Sequence, residues 1–101
     1  MVNQSIIDIA NSYVHNIPVS MGVKKAYLFG SYAKQAETEN SDIDIAVVVD
    51  TNQDFFELQM ELMRLRRKYD LRIEPHPIFD CDFNAQNPLA YDVQQTGIEL
   101  K

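Results

Sequence analysis

Between Tyr27 and Val49 an apolar run stops at Gly30-Ser31, crosses a polar stretch, and restarts at Asp42-Ile43-Asp44-Ile45-Ala46-Val47-Val48-Val49. This interruption constrains the fold more than any other feature. Both runs have strand character over about 24–29 and 42–49, and the second is a β-branched series suited to the most buried strand. Ten residues separate Ser31 from Asp42. A short helix over 31–36 and a polar loop over 37–41 fit there, but a full crossover helix does not. The two strands therefore point to a mixed sheet rather than a regular doubly wound one.

Helices flank this unit. Residues 5–17 carry Ile6, Ile9, Ala10, Tyr13, Val14 and Ile17 at the spacing of an amphipathic helix. Ser5 and Asp8 form a capping-box pattern at its start, and Pro18 ends it. A second helix over 54–69 places Phe55, Leu58, Leu62, Leu65 and Tyr69 at steps of three and four, with Asp54 as N-cap. Residues 71–79 read as a third strand. Pro75 and Pro77 remove amide donors from one side of it only, which suits an edge strand or one leaving the sheet. A last helix over 88–96 ends at Gly97 as C′ residue, before the apolar tail Ile98-Glu99-Leu100, which can add a short strand. The order α-β-α-β-α-β-α predicts an α/β (α+β) fold, a mixed β-sheet covered by helices, in one domain over 1–101.

Composition narrows the functions. An apolar share of 46% is that of a globular chain. A net charge of −6 opposes general binding of nucleic acid, which needs a basic surface, but allows an anionic mononucleotide carried with a divalent metal. No apolar run reaches the roughly 20 residues of a membrane span, and the start of the chain does not read as a secretory signal. A cytoplasmic protein is expected. Cys81 is the only cysteine, which excludes an internal disulfide and a cysteine zinc site. Its neighbours Asp80 and Asp82 disfavour a thiolate, so it reads as structural or incidental. Arg64, Arg66, Arg67 and Lys68 close the second helix, where they complement its dipole; a docking surface for an acidic partner is the functional alternative.

The chemistry concentrates at the interruption. Asp42 and Asp44 alternate with Ile43 and Ile45, so both carboxylates project from one face of a strand. Two adjacent carboxylates repel each other unless a hard cation lies between them, and Mg²⁺ is such a cation. Gly30 permits close backbone approach, and free amides after it, with the Ser31 hydroxyl, can hold phosphate. Taken singly, the Asp pair reads as a solvated strand start and Gly30-Ser31 as an ordinary turn with Ser31 as N-cap. Together, each in the context its role requires, they suggest a site for a metal-bound nucleoside triphosphate.

Gly30-Ser31, Ala33-Lys34, Ala36 and Ser41-Asp42-Ile43-Asp44-Ile45-Ala46-Val47 resemble the Gly-Ser-x10-Asp-x-Asp signature of minimal nucleotidyltransferases. These belong to the DNA polymerase β-like nucleotidyltransferase superfamily, which includes antibiotic nucleotidylyltransferases. The resemblance implies that residues 1–101 form a single minimal nucleotidyltransferase domain. It implies that Gly30 and Ser31 hold the triphosphate, with Lys34 as a helper, and that Asp42 and Asp44 hold two Mg²⁺ ions. A third carboxylate on a later strand is expected to ligate metal or deprotonate the acceptor. Glu74 alone is placed for that role, and His76 shares its face if the strand register holds. Lys34-Gln35 replaces the Arg-Gly of many members. Lysine lacks arginine's planar fork, and Gln35 is costly if the backbone there needs a positive φ.

The implied activity is Mg²⁺-dependent transfer of a nucleoside monophosphate, AMP from ATP, to a hydroxyl. Larger relatives select an acceptor with a further domain, so here a partner is expected to supply it. The resemblance points to antitoxins paired with a helical HEPN-type toxin, a ribonuclease, some of which are silenced by AMP on a tyrosine. The alternative is a catalytically weak antitoxin, a binding module that neutralises its partner by contact. A phosphatase of the haloacid dehalogenase type needs the apolar strand to lead into its Asp pair. Here the apolar run follows the pair, so that reading is set aside.

Overall fold

The computed structural model describes residues 2–101. Helix α1 (Gln4–His15) leads through a 3₁₀ turn at Val19–Met21 into β1 (Val23–Phe29). Strand β2 (Ile43–Val49), helix α2 (Phe55–Leu65), strand β3 (Ile73–Phe79), helix α3 (Pro88–Thr96) and the two-residue β4 (Ile98–Glu99) follow. The sheet order is β3-β2-β1-β4. β2 runs antiparallel to β1 and parallel to β3, and β4 is antiparallel to β1. The fold is thus a mixed α+β sheet covered by helices, as expected from the short β1–β2 connection. The proline-bearing β3 takes the edge, where its missing amide donors leave no ladder bond unmade on the open side.

Strand alternation divides the molecule into two layers. Ile43, Ile45, Val47 and Val49 of β2 pack with Ala26 and Leu28 of β1, Ile6, Ala10 and Tyr13 of α1, and Leu58 and Leu62 of α2. On the other face a smaller core joins Phe29, Ala46, Ile78 and Val93 of α3. β2 is therefore buried on both faces, which explains its unbroken apolar run after Asp44. α2 is tied to β3 by Gln59 Nε2 donating to Pro75 O at 3.1 Å and by an Arg66 guanidinium nitrogen donating to Ile73 O at 2.9 Å.

Several local expectations are corrected. The N-cap of α1 is Asn3, whose side chain accepts from the Ser5 amide at 2.9 Å; Ser5 lies inside the helix. α2 keeps its Asp54 cap but ends at Leu65, and Arg66–Lys68 tighten into a 3₁₀ turn. Phe55 is half exposed, leaving Leu58 and Leu62 as the buried stripe. Gly97 has φ −71°, an ordinary value. Its glycine is required by space instead, since a Cβ would stand 2.4 Å from Val93 O. Residues 31–36 form no helix. Ala36 N donates to Ser31 O at 2.9 Å and Gln35 N to Tyr32 O at 3.3 Å, closing a single turn with Gln35 at φ 57°. That is the bond pattern of a Schellman stop, with glutamine in the place glycine usually fills.

Candidate active site

Antiparallel β1–β2 and parallel β2–β3 pairing bring the end of β1 and the starts of β2 and β3 to one edge of the sheet. Phe29 pairs with Asp44, and Asp44 pairs with Glu74. Glu74 and His76 lie two residues apart in β3 and so share the face that carries Asp44. Asp42 immediately precedes β2 and is exposed.

Gly30 closes the β1 side. Its φ is +73°, and a Cβ there would lie 2.3 Å from Asp44 Oδ2. A side chain at this position would occupy the space of the carboxylate. The backbone conformation favours glycine here, and a methyl would in addition push the Asp44 carboxylate aside.

Glu74 lies between the other acids. A proton shared with the Asp42 carboxylate, partial burial, and the charges of Asp42 and Asp44 hold its carboxyl above the ordinary range, while His76 opposes the shift. His76 Nε2 stands 3.1 Å from Asp44 Oδ1 and 4.0 Å from Glu74 Oε1. Its ring meets the Phe29 ring edge-on, with centroids 5.0 Å apart. One ligand atom each from Asp44, Glu74 and His76 falls within a mutual 4.8 Å. Asp42 stands outside this group of three and touches it through Glu74.

The structure thus gathers Asp42, Asp44 and Glu74 at one edge beside Gly30 and Ser31. Lys34 is turned elsewhere: its ammonium pairs with Asp92 of α3 at 3.4 Å, with both side chains nearly half exposed. Sequence reasoning placed His76 on the face of Glu74 but not its direct contact with Asp44. The signal was the i+2 spacing, which needed the parallel β2–β3 register to become a distance. Asp92 gave no sequence signal, because it pairs with Lys34 across 58 residues of chain and a tertiary contact.

Crowded carboxylates are costly without a counter-charge. The mutual reach of three ligand atoms and the raised proton affinity of Glu74 therefore fit a divalent cation. The rim is open: the side chains of Asp44, His76 and Glu74 are 22%, 28% and 46% exposed.

Sheet and acidic edge together define a nucleotidyltransferase-type domain. The polymerase beta nucleotidyltransferase family matches residues 4–101, and the chain belongs to that family. A Methanocaldococcus jannaschii protein provisionally named a protein adenylyltransferase is 37% identical over 79 residues, 75% of this chain and 78% of that protein. Among solved structures, a toxin–antitoxin with AMP-PNP superimposes with a TM-score of 0.65 at 27% identity, covering 94% of this chain and 72% of that one. A variant of the toxin–antitoxin MntA-HpeT covers all of this chain and 73% of that one, with a TM-score of 0.59 and 27% identity. A Sulfolobus solfataricus structure, provisionally named a nucleotidyltransferase, is 18% identical and supports the fold alone, with a TM-score of 0.63 over 95% of this chain and 79% of that one. Among the described residues no helix is long and apolar enough to cross a membrane.

Proposed function

We propose that this chain transfers AMP from ATP, with Mg²⁺, to a hydroxyl of a partner protein, a HEPN-type toxin. One observation carries the reading: Asp44 is paired in register with Glu74 on one side, while Gly30 leaves space for its carboxylate on the other. The adenylyltransferase relative and the toxin–antitoxin neighbour with AMP-PNP support the choice of nucleotide and partner. Residues 1–101 act in this reading as one minimal nucleotidyltransferase domain.

Asp42, Asp44 and Glu74 are the residues that would hold two Mg²⁺ ions. When bound, these ions neutralise the triphosphate and stabilise the attacking and leaving oxygens. Gly30 and Ser31 bind the β- and γ-phosphates through the open turn after β1. Lys34 is the helper. Its pair with Asp92 is half exposed and therefore weak, so exchanging that partner for a phosphate costs little.

The acceptor oxygen attacks the α-phosphorus, the bond to the β-phosphate oxygen breaks, and pyrophosphate leaves. Glu74, on the Asp44 face and partly exposed, is the carboxylate that would receive the acceptor's proton when it is not ligating metal. The exposed rim of the carboxylates leaves room for an acceptor delivered on another surface. Incubation of the purified pair with ATP labelled at the α-phosphate tests the reading, with label expected on the partner. Inhibition of the partner without label would instead establish a contact-only antitoxin.

A further inference from the structure

The acidic edge contains a nitrogen that the proposed carboxylate set does not use. His76 Nε2 lies 3.1 Å from Asp44 Oδ1 and 4.0 Å from Glu74 Oε1. In an octahedral shell with bonds of about 2.1 Å, adjacent ligands lie about 3 Å apart and opposite ones about 4.2 Å apart. The His76–Asp44 separation, a hydrogen bond without a cation, is that of adjacent ligands, and all three ligand atoms lie within 4.8 Å of one another, so a cation can replace the proton the pair shares. The parallel register fixes both side chains on the Asp44 face, and the Phe29 ring edge restrains the imidazole. Only His76 supplies a nitrogen to the group of three ligand atoms.

We infer that His76 is a metal ligand, and that with Asp44 and Glu74 it forms a mixed nitrogen–oxygen site selecting divalent first-row transition ions over Mg²⁺. The inference rests on the proposed metal site and adds a selectivity to it. Mg²⁺ prefers an all-oxygen shell, whereas imidazole favours ions further along the transition series. Abundant Mg²⁺ can use the carboxylates alone; an ion such as Co²⁺ gains the additional nitrogen.

The chain has two histidines, so the nitrogen can be traced. The probes are Mn²⁺ for pulsed electron paramagnetic resonance and Co²⁺ and Mg²⁺ for calorimetric titration, all without nucleotide. Wild type is expected to show modulation from a directly bound ¹⁴N. His76→Gln should lose it, while His15→Gln keeps it. The ratio of Co²⁺ to Mg²⁺ affinity should fall at least about tenfold in His76→Gln, the loss that even an outer partner of a metal ligand can cause.

Metal binding that depends on Asp44 but shows no ¹⁴N modulation in wild type would overturn the histidine ligand and leave the carboxylate site standing. An equal fall in both affinities, with an unchanged ratio, would mean that His76 only positions Asp44. Absence of any divalent binding in wild type would overturn the proposed metal site itself. The wild-type spectrum decides the ligand question even if a variant folds poorly.

Discussion

Gly30, Gln35 and Glu74 show how single residues set the edge of this sheet. At Gly30 an added methyl would meet Asp44 Oδ2 at 2.3 Å in a backbone with φ +73°. Gly30→Ala should therefore destabilise by about 1–3 kcal/mol in urea unfolding and displace the carboxylate. Gln35 holds φ 57°, which costs an ordinary residue roughly 1 kcal/mol, partly balanced by the greater unfolded freedom of glycine. Glu74 holds its proton above the ordinary range, first through Asp42. A group with a raised folded pKa favours folding below its unfolded pKa and loses that advantage as pH rises through the folded value. Without divalent cation, stability should fall as pH rises upward from about pH 4, the ordinary glutamate range. Glu74→Gln should flatten this slope and melt above wild type at neutral pH. The Gly-Ser and Asp-x-Asp signals were legible because each depends on residue type at short range. The Gln35 conformation was foreseen only as a condition, since a φ angle is not written in the residue name.

At the scale of elements, the helices are joined by a buried polar contact. Tyr13 of α1, fully buried, donates to Leu62 O of α2 at 2.7 Å, and its ring meets Tyr69 edge-on. Burial pushes the Tyr13 hydroxyl well above its usual pKa, so it remains a donor through neutral and alkaline pH. Leu62 O also accepts from the Arg66 amide, so losing Tyr13 leaves it one bond rather than none. Tyr13→Phe should thus cost about 1 kcal/mol, near the ordinary value of a hydrogen bond, measured by urea unfolding. Periodicity located α1, α2, α3 and the three long strands because apolar spacing reports burial directly. It misplaced the 31–36 segment, where Gly30-Ser31 resembled a helix start. There the chain makes one turn and stops at Gln35, with Tyr32 as its buried anchor. The prolines of β3 left an edge strand or one leaving the sheet, and the structure shows the edge. The parallel pairing of β3 with β2, which brings His76 to Asp44, came from tertiary register that alternation alone does not specify.

Across the whole molecule, the β2-α2-β3 unit and the β1–β2 pair build the sheet, with α1 and α2 on one face and α3 on the other. This arrangement leaves the carboxylates at one edge, Asp42 exposed and Asp44 and Glu74 partly so, beside the turn that follows β1. The residues proposed for the nucleotide side of the chemistry were legible because they form local motifs of this chain. The sequence identified no acceptor, because that group is proposed to reside on another protein. The proposed metal site can be tested apart from the fold, since Asp42 is exposed and Asp44 lies at the start of a strand whose later residues form the core. The most direct test is transfer of labelled AMP from ATP to the proposed toxin partner by wild type and by Asp42→Ala/Asp44→Ala, with folding checked by circular dichroism. The variant should keep its fold and lose Mg²⁺-dependent transfer; equal labelling by both proteins would contradict the proposed site.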